Sequence, residues 1–304
     1  MTFNNQELKK ILSTTRKEFN AQAMADSDRG LPEEQREEWS AIYASYESRS
    51  ILQGTICGME SVPIPTGESD EHGKPVMEPL HCMVVIQHYA KVLIPEPFFR
   101  MEEGVSFALS STIGAKIDYI IIGVDRAGGC AVASRAMAME QQRWYMREVR
   151  RVQAGDVIPM SVLAVGPTRL TLTAGGYDTA LTQSGISYQY LSDLRELYHP
   201  GQELSARVLE ITEQQLVISI KDVGPDPYED AALRHPVGAS RVAVITNKFH
   251  GAVFCRLPDG CTVVCKYAKQ FSDDQFAIND RVLVQIRHFD DAHHWLRGKI
   301  RAKV

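Results

Sequence analysis

Gly114-Ala115-Lys116-Ile117-Asp118-Tyr119-Ile120-Ile121 runs on to a turn at Asp125-Arg126-Ala127-Gly128-Gly129, then closes on Ala131-Val132-Ala133-Ser134-Arg135. Apolar side chains fall at every second position, as on a strand with one buried face, and the glycine-rich turn joins two such strands. The pattern returns twice. Gly201, Leu204, Ala206 and Val208 lead to a turn near Thr212-Glu213-Gln214 and to Val217-Ile218-Ser219-Ile220-Lys221. Asn279-Asp280, Val282, Val284 and Ile286 lead to Asp290-Asp291 and to Leu296-Arg297-Gly298-Lys299-Ile300. Each copy opens on Gly or Asn and ends on a small residue beside a basic one. Recurrence at this spacing indicates tandem domains, so the unit is a small all-β module repeated along the chain.

With 304 residues, 44% of them hydrophobic, the chain is long enough to bury several cores. No stretch approaches the roughly 20 apolar residues of a membrane helix, and Met1 to Lys10 has no apolar signal core. The expectation is a cytoplasmic protein without a membrane partner. The six cysteines are scattered, and only Cys261 and Cys265 lie close, at a spacing unlike a zinc knuckle. They read as free thiols in a reducing compartment. The net charge of −5 conceals an asymmetry: Arg241 to Val304 holds 11 Lys/Arg against 6 Asp and no Glu, so this end carries +5 and the rest −10. A basic end on an acidic body suggests a polyanionic partner for that end.

Residues 1–48 read as helical. Leu8, Ile11, Leu12 and Phe19 fall at helical spacings, Leu31-Pro32-Glu33-Glu34 looks like a helix start, and Trp39, Ile42, Tyr43 and Tyr46 form one apolar stripe. A first β-module is expected over 49–136, broken by an exposed, irregular excursion from Pro63 to Pro75. The stretch 137–152, free of Gly and Pro and rich in Met, Ala, Glu, Gln and Arg, reads as a connecting helix. A second module follows over 153–223, with a hairpin through Leu170 to Gly176 and a helical piece near Tyr190 to Leu197. Gly224-Pro225-Asp226-Pro227 interrupts the chain before a third module over 236–304.

Five short strands with a helix between the third and fourth is the layout of the OB-fold, a small Greek-key barrel. The fold class expected is all-β: three tandem OB-fold five-stranded barrels behind an α-helical N-terminal segment, with a helical linker. Gly114 to Arg135, Gly201 to Lys221 and Phe249-His250-Gly251-Ala252-Val253-Phe254 resemble the RNA-binding domain family named after ribosomal protein S1. The third module is also similar to bacterial translation initiation factor one, at Leu257-Pro258-Asp259-Gly260, Asp280 to Val284 and Gly298-Lys299-Ile300. The resemblance implies RNA binding, with surface aromatics at the positions of His250 and Val253 and a buried position at Phe254.

Single-stranded RNA requires flat rings for unpaired bases and cations for phosphates on one face. The residues expected to supply them are Lys248, Phe249, His250, Lys266, Tyr267, Arg297, Lys299 and Arg301, with Lys266 and Tyr267 facing one cleft and the last three alternating along one strand. Arg100, Arg135, Arg143, Arg147, Arg150 and Arg151 are further candidates for phosphate contacts. His288, Asp290, Asp291, His293 and His294 have donor groups suited to a divalent ion but lie on one turn, so no metal is expected. Neither a Gly-rich phosphate loop nor a nucleophile elbow is present, and no catalytic residue or cofactor is expected. The function expected is non-catalytic binding of single-stranded RNA, in particular mRNA, through the basic third module and in connection with translation. The alternative is a scaffold that contacts the ribosome or RNA polymerase through the acidic first two modules.

Overall fold

In the computed structural model the chain is described at residues 28–69, 75–86, 89–100, 105–126, 128–189, 191–249 and 251–304. The helix expected around Leu8 to Phe19 lies outside them. Helix α1 (Glu33–Ser48) follows Pro32 and carries Glu33 and Glu34 in its first turn, where carboxylates complement the helix dipole. Its stripe is buried as the spacing predicts: Trp39, Ile42 and Tyr43 lie in the core and Tyr46 packs beside them. Polar contacts fix the docking. The Ile121 amide donates to Ser45 Oγ at 3.1 Å. Asp28, itself buried, accepts from the Tyr43 hydroxyl at 2.9 Å and from the Arg126 guanidinium at 2.8 and 2.9 Å.

Three sheets of five strands follow. The first is a closed barrel of β1 (Leu52–Ser69), β2 (Pro75–Ile86), β3 (Lys91–Pro95), β4 (Lys116–Asp125) and β5 (Cys130–Ser134), in the order β1-β2-β3-β5-β4. Of the excursion expected from Pro63 to Pro75, the described part to Ser69 instead extends the β1–β2 hairpin, paired Pro63 with Pro79 and Pro65 with Met77. Proline lacks an N–H to donate but can still occupy a two-stranded ribbon whose outer edges are unpaired.

The second sheet contains β6 (Val157–Val165), β7 (Arg169–Ala174), β8 (Tyr177–Thr182), β9 (Glu203–Ile211) and β10 (Leu216–Ser219), in the order β10-β9-β6-β7-β8. This is the same sequence of neighbours cut open between third and fifth strands, so the second barrel expected is an open sheet. Side chains bridge the gap where a ladder would run. Thr179 Oγ1 donates to the Leu216 carbonyl at 2.6 Å, and the Tyr177 hydroxyl donates to the Thr212 carbonyl at 2.8 Å. The third sheet, β11 (Ser240–Phe249), β12 (Ala252–Arg256), β13 (Thr262–Tyr267), β14 (Arg281–Asp290) and β15 (Trp295–Lys303), closes like the first by parallel pairing of third and fifth strands.

The Gly or Asn that opens each sequence repeat has a common structural task. Gly114, Gly201 and Asn279 all hold positive φ, at 93°, 82° and 74°. In each case this residue's N–H donates to the carbonyl of a residue at the bulge of the first strand, Ile56, Val162 or Ile245, at 2.8 Å. The same first-strand residue donates back to the carbonyl of the next residue, Ala115, Gln202 or Asp280, at 2.8–2.9 Å. A left-handed residue is required to turn the chain onto the bulge, and Gly and Asn tolerate that conformation best.

The contacts divide the chain into two compact units, Met1–Ala180 with Asp193–Ile218, and Leu181–Ser192 with Ser219–Val304. In the first unit, α2 (Arg135–Trp144) begins at Ser134, whose Oγ accepts the Met137 amide, and ends in a π-helical turn at Tyr145–Val149. Arg135 is only 2% exposed and forks onto Asp178 at 2.7 and 2.9 Å. It also donates to the Phe99 carbonyl, while Arg100 donates to the Phe107 carbonyl and lies over that ring. Both are committed internally, which removes them as the phosphate contacts expected. Gly176, with φ of 82°, brings the β7–β8 turn against α2; a Cβ there would lie 2.0 Å from the Met139 carbonyl oxygen. Among the described residues no helix is long and apolar enough to cross a membrane.

Candidate nucleic-acid interface

The core of the third barrel takes Val263, Cys265 and Tyr267 from β13, Val253 and Cys255 from β12, and Leu296 and Ile300 from β15. The alternate residues face outward. On β15 these are Trp295, Arg297, Lys299 and Arg301, with successive side chains about 6.7 Å apart along the strand. Parallel pairing sets Lys266 of β13 beside Lys299 and Val264 beside Arg297, and antiparallel pairing sets Phe254 of β12 beside Val264. Four of the expected cations, Lys266, Arg297, Lys299 and Arg301, therefore share one face. Gly298 stands between two of them facing inward, where a Cβ would meet Val284 at 2.7 Å and Val263 at 2.9 Å.

Their partners differ. Arg297 donates to Asp290 Oδ2 at 2.6 and 3.0 Å, and Arg301 to Gln285 Oε1 at 2.5 and 3.0 Å. Lys266 and Lys299 form no ion pair among the described residues. The other expected residues are placed elsewhere. Lys248 Nζ donates to the carbonyls of Asp273 and Phe276, both at 2.7 Å, and pairs with the Asp273 carboxylate at 2.9 Å. Tyr267, expected to share a cleft with Lys266, points to the opposite side because neighbours on a strand alternate. Its ring stacks on Phe276 with centroids 5.0 Å apart, and its hydroxyl donates to Asp273 at 2.8 Å. Burial and that carboxylate push its pKa up. Phe249 is 63% exposed at the end of β11, and His250 lies outside the described residues.

Two aromatic residues not anticipated at this face complete it. Val253, expected at the surface, is fully buried, and Phe254, expected in the core, faces outward. The Phe254 ring meets Trp295 edge-on, centroids 5.6 Å apart at 87°, and His293 stacks on Trp295 with centroids 5.2 Å apart. These rings line a cleft of about 620 Å³ whose far wall includes Tyr188, Lys221, Asp222 and Asp226. Lys221 Nζ sits 4.7 Å above the Tyr188 ring, and the Tyr188 hydroxyl donates to Asp222 at 2.8 Å. Burial first and Asp222 second raise the pKa of Tyr188, so it remains a neutral donor. At the rim, Arg256 donates to Gln189 Oε1 at 3.0 Å. Rings at an apolar floor and cations along one border suit unpaired bases and their phosphates.

The His288–His294 turn is not gathered for a metal. Asp290 is occupied by Arg297 and faces His293 at 2.9 Å, and burial counts for less at its carboxyl than those two partners, which hold it down at about 2. His294 turns to Asp226 at 2.6 Å, and Asp291 accepts from Tyr228 at 2.7 Å. Among the described residues the three donors nearest metal-ligand spacing are His235, Asp259 and Cys261. There the Arg234 guanidinium donates to Asp259 at 2.9 Å and to Cys261 Sγ at 3.5 Å, so a cation already serves both groups. The trio ties the helical turn Ala231–Arg234 to the β12–β13 loop.

Tandem OB-type sheets, one with this aromatic and cationic face, define the class of the molecule. No family model matches the chain. Small ribosomal subunit protein bS1 of Neisseria meningitidis is 24% identical over 151 residues, covering 48% of this chain and 27% of that protein. The bS1 of Rickettsia conorii is 25% identical over 155 residues, covering 50% and 27%. The chain is homologous to bS1 over about half of its own length and spans little more than a quarter of the length of these relatives. Among solved structures, a multidomain protein with nucleic acid binding domains from Streptococcus pneumoniae covers 83% of this chain and 73% of its own, at 12% identity and a TM-score of 0.20.

Proposed function

We propose that this chain binds single-stranded RNA without catalysis, acting on mRNA in a role linked to translation, chiefly through the outward face of β12, β13 and β15. The repeats are taken as 49–136, 153–223 and 236–304, the last supplying most of the affinity and the others raising it by tethering. One observation carries the reading: Lys266, Arg297, Lys299 and Arg301 line up beside the perpendicular Phe254–Trp295 pair on one barrel face. Homology to a small ribosomal subunit protein supports the same reading. Phosphates fix the register of a bound strand while the rings accept bases of any identity, because every base has a π face.

The test uses the full chain and a fluorescent unstructured oligoribonucleotide. Phe254→Ala and Trp295→Ala should each weaken binding by about 1–3 kcal/mol wherever a base stacks. Both side chains are partly exposed, so folding should survive. Unchanged affinity in the double variant would remove this face from the mechanism. Loss of RNA binding by the wild type itself, with retention on ribosomes or RNA polymerase, would instead support the scaffold reading.

A further inference from the structure

The first unit holds an exposed aromatic surface that the proposed interface does not use. Helix α2 and the turn after it bury one side: Ala138, Met139 and Met146 are buried, Gln142 donates to Asp118 at 2.8 Å, and Arg143 donates to the Gly176 carbonyl at 2.9 Å while lying over the Tyr177 ring. The opposite side is exposed and mixes large apolar side chains with Glu140, Gln141 and Glu148. Trp144 is 62% exposed, Tyr145 52% and Val149 50%, and Met137 extends the same stripe toward the helix start. Tyr145 and Val149 are four residues apart and Met137 and Trp144 seven, so each pair recurs on a side of the helix, and the adjacent Trp144 and Tyr145 join them into one exposed strip. The π-helical turn falls at Tyr145–Val149, and turns of this kind inside helices are concentrated at functional sites.

The charged side chains at the end of the helix name the occupant. Arg147 is neutralised by Glu148 and Glu213 at 3.7 and 3.3 Å. Arg150 and Arg151 follow directly, are exposed, and form no ion pair among the described residues. Arg151 holds a φ of 51°, so the chain turns out of the helix just there, and the Arg150 N–H donates to the Tyr145 carbonyl at 3.0 Å, which sets the two arginines one turn beyond the indole and phenol. A second protein would match an apolar stripe alone. Exposed flat rings followed one turn later by two arginines without an ion pair match a polyanion that also presents π faces.

We infer that Trp144, Tyr145, Arg150 and Arg151 form a second contact for single-stranded RNA, with a base stacked on Trp144 or Tyr145 and flanking phosphates at the two arginines. The inference rests on the reading that the ligand is single-stranded RNA, and it assigns the first unit an RNA contact of its own instead of a spacing role alone.

The chain has three tryptophans, which makes the test direct. Trp39 is buried, so in full-length Trp295→Phe the solvent-exposed indole is that of Trp144. Titration with an unlabelled oligouridylate should quench its emission and protect it from acrylamide. The response should vanish in Trp144→Phe/Trp295→Phe. In an otherwise wild-type chain, Trp144→Ala/Tyr145→Ala should weaken binding about five- to tenfold, and Arg150→Glu/Arg151→Glu should weaken it further and flatten the salt dependence. Binding seen by anisotropy with Trp144 emission unchanged, and with both double variants at wild-type affinity, would overturn the inference while leaving the third-barrel interface standing. RNA-independent self-association that disappears in Trp144→Ala/Tyr145→Ala would assign the patch to a second copy of the chain and equally overturn it. A wild type without RNA affinity would end both readings together.

Discussion

Replacing Asp178 by Ala would leave the Arg135 guanidinium buried with its charge uncompensated. Removing one member of a buried pair costs about 3–5 kcal/mol, whereas replacing both with apolar residues of similar volume is often near neutral. Asp178→Ala should therefore lower the urea midpoint sharply, and Arg135→Met/Asp178→Leu should recover most of the loss. Equal damage from both would mean that packing around α2 matters more than the charge. A second single-residue effect concerns acid. Burial raises the Asp259 carboxyl, but contacts from His235, the Cys261 N–H and Arg234 outweigh it and hold the pKa at about 2. An unfolded aspartate titrates near about 3.9. The folded state thus favours the ionised form, and the stabilisation is complete above about pH 4 and lost as pH falls toward about 2. Thermal melts of Asp259→Asn should be flatter than wild type across that window, and parallel curves would exclude the mechanism.

Among the elements, the open second sheet differs most from what its repeat pattern implies. Thr179→Val keeps the shape but leaves the Leu216 carbonyl without its donor, at a cost of about 1–3 kcal/mol if water cannot replace it. Amide exchange on β10 should accelerate in that variant more than on β6 or β7, which are paired within the sheet. Exchange unchanged on β10 would show that the side-chain bridge holds nothing. Much of this level was legible in the residues: the period-two runs give the strands, and Gly114, Gly201 and Asn279 mark where each chain turns onto its bulge. Trp295 and Phe254 were also within reach, since each lies two residues from an outward arginine, Arg297 and Arg256, and must share its side. The family likeness pointed the other way by one position at Val253 and Phe254, and one position reverses a strand face. Tyr188 and Lys221 were not legible, because no local pattern links segments so far apart in sequence to one cleft. The pairing of Arg135 with Asp178, 43 residues on, is hidden for the same reason.

Across the whole molecule, the contrast of +5 in the last 64 residues with −10 elsewhere sets how association responds to salt. Contact with about three to five phosphates gives a log–log slope of about −2 to −3.5 for a single strand. Lys266→Ala/Lys299→Ala removes two cations and should make that slope shallower by about 1.4, with similar loss for every RNA sequence. A flat dependence in the wild type would exclude phosphate contacts as the source of affinity. The acidic remainder should repel RNA at low salt, so net affinity is the balance of local attraction and distant repulsion, and both weaken with screening.

The thiols also form a natural clock for opening. Cys57 is exposed and Cys130 half-buried, whereas Cys82 is buried on the opposite face of β2 from the core residues Met83 and Val85, and Cys255, Cys261 and Cys265 lie in the core of the third barrel. Burial pushes the Cys82 thiol up to about 11, so it offers almost no reactive thiolate while folded. An aromatic disulfide reagent should therefore label Cys57 at once, Cys82 as the packing over the outer face of β2 loosens, and Cys255, Cys261 and Cys265 only as fast as the third barrel opens. The chain thus reports, without any introduced probe, how often its own walls part.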